Sequence, residues 1–128
     1  MVVDSSSLVA ILLGENEADE FGRRIYGART VALSAANYVE TCMVLTSRGS
    51  AEVLDQFDRL LESAGVRVEP VTREDAALAR DAFLRFGEGR HPAGLNFGDC
   101  FSYALAKRLN EPLLFKGDDF SKTDIQLA

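Results

Sequence analysis

The chain has 128 residues, enough for one domain with its own hydrophobic core and no need of disulfide or metal staples. Hydrophobic residues make up 47% and charged residues 27%, which excludes intrinsic disorder, and no apolar run approaches the roughly 20 residues of a membrane span. The net charge of −6 weighs against a nucleic-acid partner, unless the acids gather where cations bind or another protein lends basic surface.

Met1-Val2-Val3-Asp4 reads as a short strand ended by an acid, without the basic region of a secretory signal, so a cytoplasmic protein is expected. Ser5–Leu13 follows as a helix stopped by Gly14, then Glu15–Tyr26 as a second, with Ala18, Phe21 and Ile25 at helical spacing. Thr30–Leu33 reads as a strand. Ser34 is placed to cap a helix over Ala35–Ser47, which carries Val39, Met43 and Thr46 on one side. Ala51–Ala64 shows Val53, Leu54, Phe57, Leu60 and Leu61 on one face, and Val66–Val68 is a strand leading into Pro70. Arg73–Phe86 is a helix whose inward face is expected at Ala76, Ala79 and Phe83. After the irregular stretch Gly87–Gly94, Asn96 caps a helix running to about Leu109, and Pro112–Phe115 is the last strand. Cys42 and Cys100 both fall in helical segments and read as reduced, buried residues. Strands separated by helices require crossovers, hence parallel pairing. The expectation is a single domain over 1–128, an α/β/α three-layer sandwich on a parallel sheet of four or five strands.

In such sheets ligands bind beyond the carboxyl ends of the strands. Asp4 ends the first strand, Glu40 lies near the start of the helix after the second, Asp99 lies in the first turn after Asn96, and Asp118 and Asp119 follow the last strand. Each has a structural alternative: Asp4 as a helix cap, Asp99 as the acid of a capping box with Asn96, Glu40 as a solvated helix residue, Asp118 or Asp119 as a turn residue. Their recurrence at one end of the sheet favours a site. Carboxylates about 5 Å apart repel by roughly 3 kcal/mol per pair at an effective dielectric near 20, and a divalent cation removes that repulsion. Oxygen ligands without histidine or cysteine select Mg²⁺ or Mn²⁺, ions that commonly meet phosphate oxygens.

Four segments resemble the motifs of PIN-domain ribonuclease toxins, the toxin half of VapBC toxin–antitoxin pairs. They are Val2–Ala10 with its Asp-Ser-Ser, Ser34–Thr41 centred on Glu40, Leu95–Lys107 around Asp99, and Leu113–Phe120 with Asp118-Asp119-Phe120, in order across essentially the whole chain. The resemblance implies an endoribonuclease that hydrolyses RNA phosphodiester bonds with water activated by Mg²⁺ or Mn²⁺. It implies Asp4, Glu40, Asp99 and Asp118 as catalytic metal ligands. Asp119, also a candidate for the fourth acid, and Asn96 are then supporting or substrate-contacting residues. Ser6 is such a residue or a helper in starting the first helix, and Lys116, adjacent to the acids, reads as a bridge between carboxylates or a phosphate contact. A VapB-type antitoxin, an RNA substrate and a second copy of the chain are the implied partners, and no membrane.

Other features carry less. Arg90 and His91 in the Gly87–Gly94 stretch read as an RNA contact or as a plain surface loop, and Arg80, Arg85, Lys107 and Arg108 as a basic rim or a solvated face. Two other classes compete: a receiver-like Mg²⁺-binding signalling domain, which the strand Val66–Val68 fails to supply with an aspartate, and a non-catalytic module that keeps the PIN fold.

Overall fold

The computed structural model describes all 128 residues. In chain order the elements are β1 (Val2–Val3), α1 (Ser5–Leu12), α2 (Ala18–Gly27), β2 (Val31–Ser34), α3 (Ala35–Arg48), α4 (Val53–Ser63), β3 (Val66–Glu69), α5 (Arg73–Phe86), α6 (Phe97–Leu109) and β4 (Leu113–Leu114). A single 3₁₀ turn, Asp119–Lys122, follows. All strand pairs are parallel, in the order β3-β2-β1-β4. The tail adds one more rung, Leu113 pairing with Leu127, so the four-to-five-strand expectation meets a four-stranded sheet with a rudimentary fifth edge. No helix is long and apolar enough to cross a membrane.

Alternation along the strands divides the core in two. Val2, Ala32 and Leu113 point into a cluster with Ala79, Ala82, Tyr103 and Leu105 from α5 and α6. Val3, Val31, Leu33 and Leu114 point the other way, onto Leu8, Phe21, Ile25, Leu45, Phe57 and Leu60. Burying both faces is why β1, β4 and most of β2 read as apolar runs, whereas β3 at the sheet edge is Val66-Arg67-Val68-Glu69 and partly exposed.

Two predicted faces are corrected. On α3 the buried residues are Asn37, Thr41 and Leu45, whereas Val39 and Met43 are 54% and 68% exposed. The inward face is largely polar: the Asn37 Nδ2 and the Thr41 hydroxyl donate within the fold, while the Asn37 Oδ1 is buried without a partner. On α5 the buried line is Asp75, Ala79 and Ala82, with Ala76 and Phe83 outward. Asp75 can be buried because it closes the capping box with Thr72 and takes the Arg108 guanidinium at 2.5 Å. A paired acid replaces the apolar residue that periodicity looks for.

Of the four basic residues read as a rim or a solvated face, three are paired with acids and Arg80 enters no ion pair. Arg108 is held by Asp75, and Arg85 and Lys107 both pair with Asp124. The Gly87–Gly94 loop is closed at its base by bonds between Glu88 and Leu95 and between Leu95 and Phe86. His91 packs edge-on against Phe86 and Arg90 donates to the Leu84 carbonyl. Cys100 is buried, Cys42 half-buried, and both are free thiols.

Candidate active site

Beyond the carboxyl ends of β1 and β2 opens a cleft of about 430 Å³ whose wall includes Asp4, Ser6, Glu40, Asn96, Asp99 and Lys116. Three predicted acids therefore meet there from three separate elements. Asp4 and Asp99 are placed by local capping rules, Glu40 by a tertiary contact with the start of α6.

Asp4 caps α1: its Oδ2 accepts from the Ser6 amide at 3.0 Å, as an acid at a strand-to-helix junction should. Its Oδ1 accepts from the Ser102 hydroxyl at 2.5 Å, a bond from α6 across 98 residues of sequence. Asp99 and Asn96 form the capping box of α6, with the Asn96 amide on Asp99 Oδ2 at 3.0 Å and the Asp99 amide on Asn96 Oδ1 at 2.9 Å. The structural and chemical readings of Asp99 thus hold together, since one carboxylate oxygen is spent on the cap and the other is not.

Glu40 reaches the cleft through the absence of a side chain. A Cβ at Gly98 would overlap its carboxylate, so the glycine in the second position of α6 lets that carboxylate lie on the helix start. The position is electrostatically sound, because a helix N-terminus carries partial positive charge. Gly98→Ala should lower RNA cleavage on the order of 10²-fold by swinging Glu40 aside. Melting temperature should hold or rise, since alanine favours the helix. Cleavage and melting assays on one preparation check both, and loss of stability with retained cleavage would contradict the placement.

Burial pushes the Asp99 carboxyl up to about 7, against the opposing bond from the Asn96 amide. The negative charges of Asp4, Asp119 and Glu40 add to the rise. Asp119 thus acts electrostatically on the cluster, while Asp118 is absent from the charges that move Asp99. Both are exposed, neither lines the cleft, and the Asp118 carbonyl is taken by Ser121.

Ser6 accepts from the Lys116 amide at 3.0 Å, tying the start of α1 to the loop after β4. Lys116 lies on the cleft wall with its ammonium on Glu15 at 2.7 Å and Glu17 at 3.2 Å. α2 starts at Ala18 rather than at Glu15, which precedes it outside the helix. Arg48, at the end of α3, is a second cation on the wall.

As the side chains stand, no three of them converge closely enough to hold an ion, because the acids line walls rather than enclose a point. The donor set nonetheless suits a hard dication: it is all oxygen, without histidine or cysteine, and the charges of neighbouring acids add to the rise that burial gives Asp99.

The PIN domain family matches residues 1–126. The chain belongs to the PIN-domain family. Within it, the chain is 48% identical to Ribonuclease VapC28 of Mycobacterium tuberculosis over 129 aligned residues, covering 100% of this chain and 97% of the relative. It is 44% identical to Ribonuclease VapC42 of the same species, covering 100% and 98%. This PIN domain is therefore of the VapC type. The solved structure of Mycobacterium tuberculosis VapC20, described as a toxin that cleaves the sarcin–ricin loop, matches in fold with TM-score 0.81 at 22% identity, over 99% of this chain and 97% of that one. A chain of a toxin–antitoxin complex from Klebsiella pneumoniae matches with TM-score 0.71 at 14% identity, over 99% and 95%. Family membership sets aside the receiver-like reading.

Proposed function

We propose that this PIN domain is a Mg²⁺- or Mn²⁺-dependent endoribonuclease that hydrolyses RNA phosphodiester bonds in the cleft, acting as the toxin of a type II toxin–antitoxin pair. The observation that carries the reading is the meeting of Asp4, Glu40 and Asp99 from three elements in one cleft, with Asp99 held near 7. The names of the VapC ribonuclease relatives, at 44–48% identity, support the substrate class.

Asp4, Glu40 and Asp99 would hold the cation, with Asp119 the better placed fourth acid by its charge on Asp99 and Asp118 the alternative. When bound, the ion supplies charge neutralisation at the phosphate and a more acidic water. The chain's own residues supply the frame. Asn96 and Ser102 hold one oxygen each of Asp99 and Asp4 in fixed directions. Arg48, which enters no ion pair with an acid, offers positive charge to a phosphodiester at the mouth, and Lys116 is oriented by Glu15 and Glu17. The net charge of −6 is then consistent with RNA as substrate, since part of the acid is spent at the site.

An antitoxin and a second copy of the chain belong to the same proposal. Phe97, 79% exposed, and Met43, 68% exposed, offer apolar surface that either would cover.

The test is cleavage of a labelled RNA pool by protein freed of antitoxin, with Mg²⁺, Mn²⁺ or EDTA, beside Asp4→Asn. Discrete products that vanish with EDTA and with the variant are expected. Folded protein inert in both metals would contradict the reading. In cells, expression alone should arrest growth and the neighbouring antitoxin should relieve it.

A further inference from the structure

The cleft acids sit on different elements, so their separation depends on what ties those elements together. Ser102 joins α6 to Asp4. Glu40 comes from α3, and a single buried side chain of α3 bonds to both of the other elements: Asn37, one turn before Glu40 and 0% exposed. Its Nδ2 donates to the Gly98 carbonyl at 3.0 Å and, at 3.4 Å, to the Ser5 hydroxyl, which itself donates to the Asn37 carbonyl at 3.2 Å. Gly98 precedes Asp99 and Ser5 follows Asp4. One amide therefore bonds to the chain neighbours of two acids and shares a helix face with the third.

We infer that Asn37 is the positioning residue of the acid cluster, setting the separation of Asp4, Glu40 and Asp99 and hence the site's affinity for a divalent cation. The inference rests on the nuclease reading above. Chemistry at the position supports it. A primary amide carries two N–H donors on one nitrogen, enough to serve a carbonyl and a hydroxyl at once. Its Oδ1 is buried without a partner, an arrangement that a leucine of similar volume would avoid. The two donated bonds are what the amide contributes in return. The bond to Gly98 also fixes the very residue against which the Glu40 carboxylate lies.

Asn37→Leu removes both donors at nearly constant volume. Thr41→Val is its comparator: Thr41 is equally buried on the same helix, but its hydroxyl donates at 2.7 Å to the Asn37 carbonyl and links no other element. The measurement is titration calorimetry of Mn²⁺ alone into each purified protein, with melting temperature and the Mn²⁺ concentration for half-maximal RNA cleavage beside it. Asn37→Leu should weaken Mn²⁺ binding about 10- to 100-fold, as loss of a ligand-orienting contact does. Thr41→Val should melt earlier with Mn²⁺ affinity within about twofold of the parent, because a buried bond is lost but the acids stay in place. Should the leucine variant not fold, Asn37→Ala, which leaves room for water, is read in its place. Parent-like Mn²⁺ affinity in the Asn37 variant, or equal weakening in Thr41→Val, would overturn the inference while leaving the nuclease reading intact. A parent protein that neither binds Mn²⁺ nor cleaves RNA overturns both.

Discussion

Asp99→Asn should reduce RNA cleavage by about 10³-fold while raising the melting temperature of the metal-free protein by a few degrees. The two effects have different sources. Partners that merely orient a ligand are worth about 10- to 100-fold, so a direct ligand should exceed that. Stability moves the other way because burial disfavours the ionised Asp99 and the charges of Asp4, Asp119 and Glu40 add to the penalty. Asparagine can still accept from the Asn96 amide at the third position of α6, so the cap survives, less a dipole contribution of about 0.3–1 kcal/mol. A residue that only capped the helix would show the opposite pair: a lower melting temperature and unchanged cleavage. Single-turnover cleavage at saturating Mg²⁺ and calorimetric melting in EDTA decide between them.

The order of elements was legible because apolar runs two to four residues long alternate with amphipathic stretches, and because the caps announce themselves. Ser34 and Asn96 each start the helix that follows, and Thr72, which went unread, does the same for α5. The three acids were legible by position, since a parallel sheet brings the ends of its strands together. Other features were hidden by polar residues buried inside the fold. Asn37, Thr41 and Asp75 occupy inward positions where periodicity expects carbon, so the faces of α3 and α5 were rotated in the reading. Gly98 could not be understood from its own helix, because what it makes room for is 58 residues away in sequence. Asn37 and Ser102 were hidden for the same reason, since each bonds across the fold rather than to the acid one turn away on its own helix: Asn37 to Gly98 and Ser5, Ser102 to Asp4. Adjacent Asp118 and Asp119 differ by a single residue, and only the tertiary placement gives Asp119 its influence on Asp99.

The stability of the metal-free protein should fall as pH rises from about 4 to 7, and Mg²⁺ should restore it at the upper end only. Asp99 is raised from 3.8 to about 7 on folding, with burial the leading cause. Between those values the folded chain keeps a proton on Asp99 that the unfolded chain has released. The folded state then binds more protons, so unfolding becomes easier with increasing pH and levels off above about 7. Three units correspond to about 4 kcal/mol as an upper bound, reduced because Asp99 remains partly solvated. The other two displaced carboxylates do not mask the slope. Asp124, lowered by the Tyr103 and Lys107 bonds that outweigh its burial, and Glu17, lowered by a backbone bond and by Lys116, change stability in the opposite sense and only below their ordinary values of 3.8 and 4.5. A dication competes with the proton for the same oxygen. At pH 7.5 Mg²⁺ at 100 times its dissociation constant should add about 2.7 kcal/mol, whereas at pH 5 the protonated Asp99 makes the same concentration far less effective. Melting curves in EDTA and in Mg²⁺ across this range, for the parent and Asp99→Asn, separate the contributions: the variant should lose both the slope in EDTA and most of the pH-dependent gain in Mg²⁺. Parallel curves for the two proteins would mean that Asp99 does not carry the charge of the cleft, and the assignment of the cation to these acids would fall with it.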